Sequence, residues 1–500
     1  MKIFYRRNYL LKSYVPAMGM ALVLILFISS CSQEKLKKKP NIIFLFADDQ
    51  CFNTVNTLGN KEIITPNLDR IADSGVTFTH AYNMGGWNGA VCLASRAMLN
   101  TGRFVWRAYA YESHQEDLVN RGEMWGQLMQ KAGYETYMTG KWHVKTDADK
   151  LFKHVVHVRP GMPNDAWQDR KQEDMMPIGY NRPQNPQDTI WQPWDKKFGG
   201  YWEGGQHWSE VLGDDAINYI NQARNQEKPF FMYLAFNAPH DPRQSPREFI
   251  EMYPLENISV PESFIPEYPF KDSIGCGPSL RDAALAPFPR TEYAVKVNRQ
   301  EYYAIITHLD KQIGRILKAL EESGEMDNTY IFYSADHGLA VGNHGLIGKQ
   351  NMYDHSIRVP LFVIGPDVPK NKKLDVDVYL QDIMASSLDL ADFQKPEYIE
   401  FNSLMPFVRG DQTESNYKAI YGCYQKDLQR MVRKDGFKLI VYPHGKTMRL
   451  YDLVNDPDEM NDLSHQPEYQ EKKNHLFSEL LNLQEEMDDP LDLETVFQEM

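Results

Sequence analysis

Residues 42–47, Ile-Ile-Phe-Leu-Phe-Ala, form an unbroken apolar run that stops at Asp48-Asp49. A strand with one wet face alternates polar and apolar side chains. This run has no polar side, so it belongs in the middle of a sheet covered on both faces. Similar runs occupy residues 229–236, 329–335 and 360–364. Helical patterns lie between them: in 303–320, Ile306, Leu309, Ile313, Ile316, Leu317 and Leu320 recur at the spacing of one helix face. Buried strands alternating with amphipathic helices predict an α/β fold with a large, mainly parallel sheet flanked by helices. Ligands of such sheets gather beyond the carboxyl ends of the strands. The polar clusters fall there: Asp48-Asp49 after the first run, Lys141-Trp142-His143 after 134–139, His240 after 229–236 and Asp336-His337 after 329–335.

A chain of 500 residues exceeds one ordinary core. Residues 41–399 carry the α/β pattern, and the texture changes at about 400. Short strand-like segments at 418–422, 429–433, 437–442 and 448–453 are separated by turns such as Asp435-Gly436, and a helical stretch, 469–487, follows. Residues 400–500 therefore predict a small α+β subdomain with an antiparallel sheet. Two stretches, 159–209 and 254–297, lack periodicity; loops this long are usually functional or disordered. The first carries Trp167, Trp191, Trp194, Trp202 and Trp208, which would either pack the loop onto the domain or offer indole faces to sugar rings.

The N-terminus reads as a secretory signal. Lys2, Arg6, Arg7 and Lys12 precede an apolar run from Val15 to Ile28, ending in Ser29-Ser30-Cys31. The cysteine at the cut resembles a bacterial lipobox, giving a signal peptide 1–30, a lipidated Cys31 and a lysine-rich tether 31–40; an uncleaved anchor helix is the alternative. The expected location is the periplasm or the outer-membrane surface of a Gram-negative bacterium, with membrane contact through the lipid alone. Losing residues 1–30 removes four basic and no acidic residues, taking the formal charge from −14 to −18. Such a balance argues against nucleic acid. Of five cysteines, Cys51, Cys276 and Cys423 are too few and too scattered for a disulfide framework.

Residues 92–103, Cys-Leu-Ala-Ser-Arg-Ala-Met-Leu-Asn-Thr-Gly-Arg, resemble the signature of the type I sulfatases, whose cysteine is oxidised to Cα-formylglycine. A hydrated aldehyde suits that chemistry, since one geminal hydroxyl attacks sulfur and the other later expels sulfate. The resemblance extends to Ile64–Ala72 with Gly75–Phe78, Gly140–His143, Ala238-Pro239-His240, Asn343-His344-Gly345 with Lys349 and Tyr353-Asp354, and Leu450–Glu459. It implies an alkaline-phosphatase-like sandwich. It also implies a calcium ion held by Asp48, Asp49, Cys92 as formylglycine, Asp336 and His337. The family commonly carries asparagine at the last position, so His337 is a departure. Carried over residue by residue, Arg96 and Lys141 would stabilise the hydrate, and Asp336 would help to deprotonate the attacking hydroxyl. His240 and Lys349 would neutralise the sulfate and protonate the leaving oxygen, and His143 would take the proton from the second hydroxyl.

The expected function is calcium-dependent hydrolysis of sulfate esters on a sulfated carbohydrate. A phosphonate or phosphodiester hydrolase of the same superfamily, a choline sulfatase and a non-catalytic glycan-binding lipoprotein are the alternatives. Ala94 stands where oxygen-dependent maturases expect proline, so the implied partner is an anaerobic formylglycine-generating maturase. Trp87, Arg107, His114, Trp191 and Arg243 are candidates for substrate specificity.

Overall fold

The apolar run becomes a strand buried from end to end, and the largest sheet is built outward from it. The structure is a computed structural model describing residues 1, 4, 38–163 and 182–498. The expected signal peptide, Cys31 and most of the tether lie outside the described residues, as does Trp167. The strands are β1 (Asn41–Ala47), β2 (Val76–Tyr82), β3 (Gly85–Gly86), β4 (Glu135–Lys141), β5 (His154–Arg159), β6 (Phe230–Ala235), β7 (Thr329–Ala335), β8 (Ala340–Val341), β9 (Ile347–Gly348), β10 (Arg358–Val359), β11 (Leu361–Ile364), β12 (Lys372–Tyr379), β13 (Ile420–Tyr424), β14 (Gln429–Lys434), β15 (Phe437–Tyr442) and β16 (Thr447–Asp452).

Nine strands form the main sheet, in the order β10-β2-β11-β7-β1-β6-β4-β5 with β12 paired to β2. From β7 to β5 every pairing is parallel, with Ala47 opposite Ala335 and Phe46 opposite Ala235. The run at 360–364 is the exception. It follows a 25-residue connection (336–360) that carries β8, β9 and β10, and β11 lies antiparallel between β7 and β2. Helices Pro66–Ser74, Trp208–Ala223 and Glu292–Ser323 pack together as one layer, and Val91–Thr101, Trp125–Lys131 and Asp382–Leu390 as another.

The long helix begins at residue 292, well before the expected 303, with the Thr291 hydroxyl accepting the Ala294 N–H at 3.1 Å as its cap. Its first turns bury Asn298 against the Leu285 carbonyl and Glu301 against Arg182 and Trp191, so the apolar period that marks the rest fades there. The expected non-periodic stretch 254–297 is thus helical at its end.

The second sheet has the order β16-β15-β14-β13-β3, close to the expected segments, and the expected C-terminal helix is Gln470–Met487. Its fifth strand was not anticipated. Two glycines from the front of the chain pair in parallel with β13, Gly85 opposite Cys423. Gly85 sits at φ +82°, and a Cβ there would lie 1.9 Å from the Cys423 carbonyl oxygen. Only glycine fits, on both counts. The helix carrying Cys92 starts five residues later, and its Val91, Leu93, Ala94, Ala97 and Met98 share an apolar core with Ile420, Met431, Ile440 and Leu480. The C-terminal sheet therefore supports the wall on which Cys92 stands. Cys51, Cys92, Cys276 and Cys423 are all buried, unpaired thiols.

Replacing Gly85→Ala forces a strained φ and a backbone clash, and should cost about 2–4 kcal/mol. The measurement is urea unfolding, with an expected fall in midpoint and little change in slope; an unchanged midpoint would mean that β3 does not hold the two sheets together.

Candidate active site

Four adjacent strands, β7, β1, β6 and β4, end on the same edge of the sheet, and each delivers a polar cluster there. Past β1 come Asp48 and Asp49, past β7 Asp336 and His337, and past β6 His240; Lys141 closes β4 and His143 follows. Adjacent strand ends bind one another: the Asp48 N–H donates to the Ala238 carbonyl (3.1 Å) and the Asp336 N–H to the Ala47 carbonyl (3.3 Å). Backbone geometry aims the side chains. Gly140 is at φ +93°, beside a register shift in the β4–β5 pairing, and a Cβ there would sit 1.9 Å from the Ala235 carbonyl oxygen. Asp49 and His143 themselves adopt left-handed backbone, at φ 68° and 53°. Such conformations cluster where a side chain must be presented in one direction.

Cys92 comes from the opposite layer, in the first turn of the Val91–Thr101 helix. Arg96 lies one turn later on the same helix face. Its Nε donates to Asp336 Oδ2 (3.0 Å), its Nη1 to the Lys141 carbonyl (2.8 Å), and its guanidinium lies over the Phe46 ring at 4.6 Å. Lys141 pairs with Asp48. Lys349 bridges Asp49, with both carboxylate oxygens 2.9 Å from Nζ, and lies 3.5 Å from Cys92 Sγ. All these groups are buried. The structure thus brings together Asp48, Asp49, Cys92, Arg96, Lys141, His143, His240, Asp336, His337 and Lys349.

Burial pushes the Cys92 thiol up, but Lys141 and Lys349, with hydrogen bonds from His143 and His240, more than reverse this and hold it well below its usual range. Burial, then Asp336, push the Asp48 carboxyl well up despite Lys141. Asp336 is also penalised by burial, yet His337 and Arg96 hold it below the usual carboxylate range, which makes it a good ligand and a weak base. Burial and the Lys349 ammonium lower His240 to about 4. Its Nδ1 lies 2.7 Å from the Asp241 carbonyl, leaving Nε2 directed toward Asp49 at 3.8 Å.

The donor set fits a hard divalent cation. One ligand atom each from Asp48, Cys92, Asp336 and His337 lies within 4.8 Å of the others, and Asp49, Cys92 and His240 make a second such group. Asp48 Oδ1 and His337 Nε2 are buried without a hydrogen-bond partner. The His337 Nδ1 donates to the Gly338 carbonyl (2.9 Å), so Nε2 faces Asp49 Oδ1 at 3.2 Å, and Asp336 and Asp49 favour a proton there when no cation is bound. Two acceptors that close repel unless a proton or a cation lies between them. Asp48, Asp49 and Asp336 supply the carboxylate oxygens that calcium prefers, and His337 is placed to join them.

Above Cys92 opens a cavity of about 530 Å³. His143, Pro160, Gly161 and Met162 form one wall; Leu280, Arg281 and Asp282 form the other, with Lys349 and Gln350 beside Cys92. Arg281, Asp282 and Gln350 were missed in the sequence. They carry no signature, and the first two lie inside the non-periodic stretch, whose length was the one available signal. The specificity candidates stand elsewhere. Trp191 is buried, donating to Glu301 (2.8 Å), and Arg107 pairs with Glu400 and Asp488. Trp87 packs on Tyr109, His114 is exposed beside Ser113, and Arg243 is buried against Asn298 (2.9 Å) and Tyr302. None of the five lines this cavity.

The family described as Sulfatase matches residues 40–393, and the one described as N-sulphoglucosamine sulphohydrolase, C-terminal, matches residues 342–486. An arylsulfatase of Clostridium perfringens is 29% identical over 476 residues, 88% of this chain and 93% of the relative. An N-acetylglucosamine-6-O-sulfatase of Bacteroides thetaiotaomicron is 26% identical over 551 residues, 94% of this chain and 91% of the relative. A solved structure of a protein in complex with its substrate D-glucosamine-2-N,6-O-disulfate has a TM-score of 0.68 at 24% identity, covering 91% of this chain and 99% of that one. The phosphonate monoester hydrolase of Agrobacterium radiobacter has a TM-score of 0.67 at 20% identity, covering 90% and 96%. These structural likenesses show the fold.

Two outcomes test the site. Arg96→Met leaves Asp336 buried without its guanidinium partner, and should destabilise the protein by about 3–5 kcal/mol in urea unfolding. Calcium added to chelated protein should stabilise it by about 2.7 kcal/mol at a hundred times Kd, raising Tm; the shift should be lost in Asp336→Asn.

Proposed function

Since the chain belongs to the sulfatase family, we infer that it hydrolyses sulfate esters of carbohydrates with a formylglycine made from Cys92 and a calcium ion bound beside it. The observation that carries this reading is the convergence of Lys141, Lys349, His143 and His240 on Cys92 at the floor of an open cavity. A hydrated formylglycine supplies two geminal hydroxyls, one to attack sulfur and one to expel sulfate while the aldehyde re-forms. Asp48, Asp49, Asp336 and His337 would hold calcium, which polarises a sulfate oxygen.

The chain's own residues do the rest. Lys349, which lines the cavity, puts fixed positive charge where the sulfate oxygens gather charge in the transition state, while Lys141, paired with Asp48, would stabilise the hydrate; being buried, both need no reorganisation. Arg96 holds Asp336 in place beside Cys92, where its carboxylate would help to take the proton that the attacking hydroxyl gives up. His240 is neutral at rest, and an anionic ester arriving beside it raises its affinity for the proton that it and Lys349 then deliver to the leaving oxygen. His143 stands on the opposite wall, its Nδ1 buried without a hydrogen-bond partner, ready to take the proton of the second hydroxyl. Gly161 closes on the imidazole, since a Cβ there would lie 2.9 Å from it.

The carbohydrate assignment is supported by the relative described as an N-acetylglucosamine-6-O-sulfatase. Secretion as a lipoprotein attached through Cys31 rests on the N-terminal pattern. Conversion of Cys92 by an anaerobic maturase rests on Ala94 two residues beyond it.

The test is protein co-expressed with that maturase and offered sulfated mono- and disaccharides, an aryl sulfate and an aryl phosphodiester. Free sulfate from sugar esters is expected, together with a tryptic peptide of aldehyde mass at Cys92. Cys92→Ala should lose roughly 10³-fold or more, and Lys349→Ala and His240→Ala about 10²- to 10³-fold. Dominant phosphodiester cleavage would overturn the sulfatase reading; full activity from a Cys92 thiol would overturn the mechanism.

A further inference from the structure

At the floor of the cavity the Lys349 ammonium is matched by Asp49, whereas the wall formed by residues 280–282 sets one guanidinium against two carboxylates. Arg281 belongs to the short 3-10 turn Arg281–Leu285 and reaches across the mouth, its Nη1 lying 2.7 Å from Met162 Sδ on the facing wall. Its charge is already matched. Asp282 Oδ1 lies 2.9 Å from Nε and 2.7 Å from Nη2, and Asp241 Oδ2 lies 3.7 Å from Nη2. Asp282 is held in turn by the Gln350 amide (3.1 Å). Asp282 and Asp241 are 1% exposed, whereas the Arg281 side chain is 28% exposed. Asp241 Oδ2 is buried without a hydrogen-bond partner. Two carboxylates against one guanidinium leave this wall formally negative, while the Lys349–Asp49 pair beside Cys92 is balanced.

Such a wall suits a particular neighbour for the sulfate group. A second sulfate or a uronate carboxylate placed against it would meet Asp282, with Arg281 already engaged by Asp282 and by the buried Asp241. A neutral hydroxyl can donate to a carboxylate and accept from the guanidinium at once. Resting on the carbohydrate-sulfatase reading above, we propose that Arg281 and Asp282, backed by Asp241 and Gln350, read neutral hydroxyls next to the sulfate-bearing carbon. The enzyme is then selective for sugar rings whose only anionic group is the ester being cleaved. Arg281 and Asp282 contact the substrate, while Asp241 and Gln350 are positioning residues.

The experiment uses the matured full chain and matched hexose esters carrying one sulfate, or the same sulfate plus a second anionic group on the ring, with an aryl sulfate as a hydroxyl-free reference. Wild type should favour the singly charged sugar by roughly 10- to 100-fold in kcat/KM, the worth of one or two hydrogen bonds to charged groups. Asp282→Asn should lower the ratio of sugar-ester to aryl-ester kcat/KM by a similar factor. Asp241→Asn, which keeps the side-chain shape and removes a charge, should shift preference toward the doubly charged sugar. A purely structural role would not produce that gain. A wild type that prefers the doubly charged ring, or an Asp282→Asn protein that loses sugar and aryl activity in equal proportion, overturns the proposal. A wild type that cleaves the aryl ester and no sugar ester overturns the carbohydrate reading itself, and this one with it.

Discussion

The structure turns on ion pairing in a place without water. Asp336, Arg96, Asp48 and Lys141 form a continuous chain of contacts that ties together the ends of β7, β1 and β4, all of it buried. No such cluster is worth building for stability alone, since desolvating each charge costs several kcal/mol that pairing only partly recovers. Its other consequence is that each charge is fixed before any substrate arrives. The low-dielectric surroundings that make the arrangement expensive also make every cation in it act strongly on an incoming anion.

Much of this was legible in the sequence. Unbroken apolar runs identified β1, β6 and β7, and the polar residues just past them are the site. The dodecapeptide at 92–103 and the short motifs around Lys141, His240, Asp336 and Lys349 named residues that the fold does bring together. What stayed hidden has physical reasons. The early turns of the Glu292–Ser323 helix bury Asn298 and Glu301, so apolar periodicity did not reveal them. β3 consists of two glycines, and its pairing with β13 is a backbone event that side-chain patterns cannot report. Arg281 and Asp282 sit in a stretch with no period at all, where function depends on tertiary placement.

The tryptophans teach the same lesson from the other side. Trp191 seemed suited to a sugar ring because it is aromatic and lies in a long loop. Its indole N–H instead satisfies Glu301, and Arg182 stacks over its ring at 4.4 Å. The Arg182–Glu301 pair needs that cover, and so the indole is spent inside the protein. Composition shows which groups a loop offers, while burial decides what they serve.

The pairing of Gly85 with Cys423 has a temporal consequence. Its two partners lie near opposite ends of the chain, so the contact that fixes the approach to the Cys92 helix closes only after most of the polypeptide has been made. Long-range contacts of this kind form late in folding. Once formed, they leave Cys92 only 3% exposed. Any enzyme that must handle the Cys92 side chain therefore works against a clock set by the synthesis and docking of β13.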